Sequence, residues 1–518
     1  MSVRLSPSSA PRAGASALKP RRHLAWAPAR HALLWLAAFV ALGALLVILY
    51  PDAHQDDAGA HFLGARWAWR PGHHTMLVDV WGRPLFTLLY LLPAQLGYVA
   101  AKLMTVVVCA AAAWQTWRLA EQLGLARAPL AVPLLVLQPS VLLLSVETMT
   151  EPLFALVFTV ALRLHLGGRV RAGMATASLL PLARPEGFFL CALWGVWVLL
   201  DRRDAGRPWW RRVRSTLWLA AGVGVWWLAA LAITGDPLFI KHNWPGNWAA
   251  DESTYGRGSF WTYWQLRREI VGPVLWVPFV VGLAVLLARR RLVETTSAVL
   301  VLFVLHSFLW AQGTMGSAGY PRYFVCVAPA IAVIALAGWN AIATLASPVL
   351  GMLPRRVARL GAWVAAGAVL AVSAQRALAY VDAMPWSRDA RAADDVHAWF
   401  RQHPRPVRQL AWTRAYAAIL FDWDPWGGLS LGGNRAQKLA ALRAAVPGTL
   451  VFLDREAGAN NFGLAPTDIA EAGFTLLYER HYHLARRLPG PAWQVNEPPR
   501  WLYGEAVRSG ALYLFYKE

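Results

Sequence analysis

Residues 33–61 read LLWLAAFVALGALLVILYPDAHQDDAGAH, an apolar run from Leu33 to Tyr50 followed at once by a polar loop with two adjacent carboxylates, Asp56 and Asp57. The run is long enough to cross a hydrocarbon core of about 30 Å. A hydrated loop at a membrane face holds a carboxylate pair at little cost, whereas hydrocarbon does not. Residues 51–83 therefore read as an aqueous loop leaving a first span. A pair of acids placed there suits a general base or a metal ligand.

Similar apolar runs recur at 99–117, 129–146, 152–167, 215–234, 272–288, 295–311, 323–346 and 359–378 in a chain that is 57% hydrophobic. Its formal net charge of +21 sits in clusters: Arg4 to Arg30, Arg169 and Arg171, Arg202 to Arg214, Arg289 to Arg291, and Arg355 to Arg359. These clusters bracket the runs in alternation, as the positive-inside rule requires, so the basicity is topogenic and nucleic acid is not an expected partner. The 29 tryptophans fit aromatic belts at the two membrane interfaces. Cys109, Cys191 and Cys326 all lie inside apolar runs and read as packing residues. The first span reads as retained behind a cytoplasmic tail, 1–30, rather than as a removed leader.

Between Arg171 and Arg202 both ends carry the inside signature. The two apolar stretches between them, 172–183 and 187–200, are each too short to cross comfortably at 1.5 Å per residue. They read as two short helices meeting at Arg184-Pro185-Glu186-Gly187, a charged turn tolerated only where it lines protein or water. The expected fold is mostly α, a polytopic bundle of about eleven spans over 31–379. From Tyr380 the composition turns polar, and 380–518 reads as a small extracytoplasmic α/β domain, with helical periodicity at 388–402 and 435–446 and strands at 448–453, 474–478 and 511–516.

Four constellations can carry chemistry. Asp56-Asp57 is either a catalytic pair or the cap of a helix over Ala58 to Trp67. A divalent metal is left open there by His54 and His61, whose spacing matches no specific ligand pattern. Glu147 and Glu151 share a helical face if the intervening turn is helical, or mark a helix boundary at Pro152. Arg184 either meets a phosphate or pairs internally with Glu186. Lys241, His242, Arg322 and Tyr323 complete an outward set suited to an anionic lipid-linked substrate, although each alone is also an ordinary interfacial anchor.

In this order the residues resemble the C-type (GT-C) integral membrane glycosyltransferases, whose relatives include protein mannosyltransferases and the lipid A aminoarabinose transferase. Asp56-Asp57-Ala58 stands where that family has Asp-Glu-Ala, with Asp57 in place of the Glu. Thr150-Glu151-Pro152-Leu153-Phe154, Arg184 to Gly187 and Arg322-Tyr323 match three further short motifs over roughly residues 30–380. The resemblance implies transfer of a sugar from a polyprenyl-phosphate donor to a glycan, lipid or protein acceptor at the outer face of the inner membrane. Asp56 or Asp57 would be the base, with Glu147, Glu151, Arg184, Glu186, Lys241, His242, Arg322 and Tyr323 binding substrate. No nucleotide-binding glycine loop is visible. The competing class is a transporter or envelope-assembly scaffold with a periplasmic domain; a transporter calls for matched broken helices, and only 184–187 is broken.

With the N-terminus inside, the first outer loop and residues 380–518 share one side. A reporter active only outside the cytoplasm will be active when fused after Lys517 and silent when fused at Arg290; the reverse pattern would overturn this topology.

Overall fold

The computed structural model describes residues 26–51, 56–201, 206, 208–246, 256–352, 354–383, 386–455, 458–483 and 509–518. His54 lies outside them, as does the side chain of Asp56. The structure is mostly helical, with a single four-stranded sheet near the C-terminal end of the described residues.

Among the described residues, six helical segments are long and apolar enough to cross a membrane: Ala29–Leu49, Tyr98–Gln122, Trp209–Thr234, Val293–Gln312, Pro321–Pro348 and Arg356–Val381. Other expected spans are carried by shorter apolar helices, among them Glu186–Leu200 and Trp276–Ala288. One expectation fails outright. Residues 129–146 are not one span but a 3-10 turn and two six-residue helices, Ala131–Val136 and Pro139–Leu144, separated at Gln138. The cause is local: Pro139 drives the preceding residue out of the helical region, and Gln138 has ψ 124°. Every side chain from 131 to 150 is buried, so this is a core connector shielded from lipid. Gln138 can sit there because its amide donates to the carbonyls of Leu134 and Ala328 at 3.1 Å each.

The turn at Arg184–Gly187 forms as the sequence indicates, between Leu180–Ala183 and Glu186–Leu200. Gly187 is required by contact. A Cβ there would stand 2.3 Å from the backbone of Leu180 and Pro181, so the two helices close on each other only over a glycine.

The C-terminal part has strands β1 (Gln409–Trp412), β2 (Thr449–Asp454), β3 (Thr475–His483) and β4 (Ser509–Tyr516), ordered β1-β2-β4-β3. Strand β1 runs parallel to β2, and β4 is antiparallel to both its neighbours. The central strand β2 is buried along its whole length, between Trp386–Gln402 on one face and Arg435–Ala444 with Pro466–Glu471 on the other. This part docks against the first polar loop. Arg66 pairs with Asp422 at 2.6 Å and His73 with Asp424 at 2.8 Å. Ala415 and Ala418 join the hydrophobic core of the membrane bundle. The helix that follows the acids and the sheet-bearing segment therefore pack against each other.

The first two long helices are tied by a fully buried cation. Lys102, in Tyr98–Gln122, donates to the carbonyl of Tyr50 at 2.5 Å and stands 3.6 Å from Glu147, with neither side chain exposed. Glu147 precedes the helix Glu151–Leu166 instead of sharing a face with Glu151, so of the two readings of these acids the helix boundary at Pro152 is the one the structure has, and the residues between them are non-helical. Lys102→Met removes the cation beside a buried carboxylate and should cost about 3–5 kcal/mol. Lys102→Met with Glu147→Gln should recover much of the loss, because the charge is removed with its partner. Melting temperatures of the purified variants in detergent test this, and an equal loss in single and double variants would refute it.

Candidate functional site

Several helices begin around one cavity. Asp56–Trp67, Pro84–Gln95, Glu151–Leu166, Glu186–Leu200 and the 3-10 turn Pro321–Val327 each present their first turn to it or to its wall. Asp57, Arg83, Arg184, Glu186 and Arg322 line this space of about 170 Å³, with Tyr320 and Tyr323 on one wall. Proline accounts for much of the placement. Pro84, Pro152 and Pro321 stand at the first or second position of their helices, where a missing N–H costs nothing, and Pro185 caps the fourth. Charged residues next to each proline are thereby held at helix mouths.

The charges form a continuous chain. Arg322 Nη2 meets Asp57 Oδ2 at 2.5 Å, and its Nε stands 3.6 Å from Glu151 Oε1. The same Glu151 oxygen lies 2.9 Å from Arg184 Nη1, and Arg184 Nη2 reaches Glu186 Oε1 at 2.8 Å. Arg184 also donates to the Thr150 hydroxyl at 3.1 Å. Beyond Glu186 lies His306, with Nε2 at 3.8 Å, stacked on the Tyr323 ring at 4.8 Å. The Arg322 guanidinium covers Tyr320, 4.4 Å from the ring centre.

Exposure differs along this chain. The Glu151 side chain is fully buried and that of Glu186 is 10% exposed, whereas the Asp57 side chain is 45% exposed. Burial would raise the Asp57 carboxyl, but the charge and hydrogen bond of Arg322 outweigh it and hold the group below its ordinary range. His61 is pushed down to about 3 by burial, with Arg83 adding to the effect, and is therefore a neutral imidazole stacked 4.7 Å from the Trp81 ring. Burial and neighbouring Arg184 lower Arg83 to about 10, which still leaves it charged at neutral pH.

Of the residues named from sequence, Asp57, Glu151, Arg184, Glu186, Arg322 and Tyr323 are brought together here. Arg184 does pair with Glu186, and that pair is itself part of the cavity wall. Glu147 is not at the cavity, since it is held by Lys102 beneath. Lys241 and His242 do not line it either: both are exposed on the short helix Phe239–His242, where His242 meets Asp236 at 2.8 Å. The physical reason is that residues 235–246 fold back onto Asp79, through Asn243 at 2.6 Å, with their basic face outward. His61 lines the cavity, and among the described residues no group of three His, Cys, Asp or Glu is placed to hold a metal.

Sequence reasoning missed Arg83, Trp81, His306 and Tyr320. For Arg83 a signal was present, because Arg83-Pro84 repeats the Arg-Pro step of Arg184-Pro185. Its backbone is unusual for a side chain of that size, with φ 60°, in a turn where the Asp79 carboxylate accepts from the Gly82 amide. His306 lies within an apolar span, where nothing but its charge capacity distinguishes it.

No protein-family profile and no curated protein matches the chain. Solved structures do. ArnT from Cupriavidus metallidurans bound to undecaprenyl phosphate matches with TM-score 0.58 and 15% identity, over 92% of this chain and 98% of that one. The apo state of the same protein matches with TM-score 0.58 and 14% identity, over 93% and 98%. At that identity the likeness concerns architecture, and it covers most of both chains. The chain thus has the fold of ArnT.

Proposed function

We propose that this chain is a membrane glycosyltransferase that moves a sugar from a polyprenyl-phosphate donor to an acceptor at the outer face of the inner membrane. The supporting observation is the convergence of Asp57, Arg184, Glu186 and Arg322 on one cavity, in a fold shared with a protein crystallised with undecaprenyl phosphate. An exposed carboxylate beside two fixed guanidiniums supplies what displacement at an anomeric carbon needs: a proton acceptor on one side and cations for the departing phosphate on the other.

In this reading Asp57 takes the proton of the acceptor hydroxyl. The acceptor oxygen forms its bond to the anomeric carbon while the bond from that carbon to the phosphate oxygen breaks. The electron pair leaves with the polyprenyl phosphate, whose charge Arg184 and Arg322 stabilise. Glu151 contacts both arginines and serves as their common anchor. Carboxylate charge near the ring also favours the oxocarbenium-like transition state. Neutral His61 is a wall residue here.

Asp57→Asn should preserve the melting temperature and lower transfer from a polyprenyl-phosphate sugar by about 10²–10⁴-fold. Arg184→Ala should weaken binding of undecaprenyl phosphate, and Arg184→Lys should restore only part of it, because a point charge lacks the planar fork. Normal transfer by Asp57→Asn, or unchanged lipid affinity in a folded Arg184→Ala protein, would defeat this assignment.

A further inference from the structure

The arginine nearest to Asp57 is already occupied by it. We propose that Asp57 holds on Arg322 the position that the donor phosphate takes, so that donor binding displaces the carboxylate and frees it to act as base. This rests on the glycosyltransferase reading above and adds an order of events to it.

Three observations carry the inference. Arg322 is fixed: it is 11% exposed, held between the Tyr320 ring and Glu151, and has little freedom to swing toward an incoming ligand. Asp57 is the partner that can leave. Its side chain is 45% exposed, against none for Glu151 and 10% for Glu186, so it can turn toward water without stranding a charge in the protein interior. Charge balance favours the exchange as well. Arg83, Arg184 and Arg322 already face Asp57, Glu151 and Glu186, and an added anion is accommodated most cheaply if one carboxylate gives up its guanidinium.

The exchange has a chemical consequence. Paired with Arg322, the carboxyl is held below its ordinary range and is a poor proton acceptor. Once a phosphate neutralises Arg322, that stabilisation is lost and basicity rises. The base is then armed only when the leaving group is seated, and an acceptor arriving first meets an inactive carboxylate.

The test is the affinity of the full-length purified chain for undecaprenyl phosphate, measured for the unmodified protein and for Asp57→Asn. If Asp57 closes on Arg322 about nine-tenths of the time, removing its charge should tighten binding about tenfold, although the same variant loses transfer. The gain should vanish when Arg322 is changed to Gln, because the two groups no longer compete for one guanidinium; Arg322→Ala provides a second background should Gln disturb folding. A gain of the same size in the Arg322 variants would mean only that a negative charge was removed, and would overturn displacement. Equal or weaker binding by Asp57→Asn in an otherwise intact Arg322 protein would also overturn it, with the donor class still standing. If neither the unmodified chain nor Asp57→Asn binds the lipid, the donor class itself is wrong and displacement falls with it.

Discussion

The guanidinium of Arg184 joins Glu151 and Glu186, which belong to different helices, and hydrogen-bonds Thr150 at the entrance to one of them. Through Glu151 it is connected to Arg322 and so to the helix carrying Asp57. Four segments far apart in sequence thus share one network of charge in a bundle that is otherwise apolar. Buried ion pairs add little net stability, because desolvation offsets their attraction, but removing one member is expensive. Their effect is selective: any arrangement that fails to bring these helix starts together leaves charge unpaired in a low-dielectric interior. The network specifies which ends of which helices meet, while apolar packing supplies the stabilisation.

That selectivity explains why polar residues here are concentrated at helix N-termini. A helix start offers free N–H groups and a partial positive charge, which favour the carboxylates Asp57, Glu151 and Glu186 at first-turn positions. The arginines beside the prolines then compensate those acids. The result is a cavity that is strongly polar yet near neutral in net charge, and the close match between cations and anions is what makes an incoming anion compete with a resident one.

Much of this was legible in the sequence because the relevant signals are local. Short apolar stretches flanking Arg184-Pro185-Glu186-Gly187 required a broken helix pair, and the structure has one. The strands β2, β3 and β4 fell where apolar runs were short and bounded by turns, and the helices Trp386–Gln402 and Arg435–Ala444 followed from their periodicity. The sequence was silent where contact at long range decides. Residues 129–146 have the hydropathy of a span, and only their enclosure by other helices shows that they are core. Glu147 looked equivalent to Glu151 until Lys102, a residue inside an apolar run, claimed it. Lys241 and His242 had the right chemistry for an anionic ligand, but their loop is turned by Asn243 and Asp79, a pairing no spacing rule contains. β1 was invisible because four residues carry too little pattern.

Gly59 lies two residues beyond Asp57, and a side chain there would press on Ala415 and Ile419, with Cβ contacts of 3.3 Å to each. The helix that carries the acid is therefore braced by residues translated after the six long apolar helices found among the described residues. During synthesis the bundle can insert and pair its charges while this flank is still uncovered, and the brace arrives only with the C-terminal part of the chain. Bracing of the helix that carries the acid is in this sense a late event in the life of the chain, waiting on residues far along the sequence.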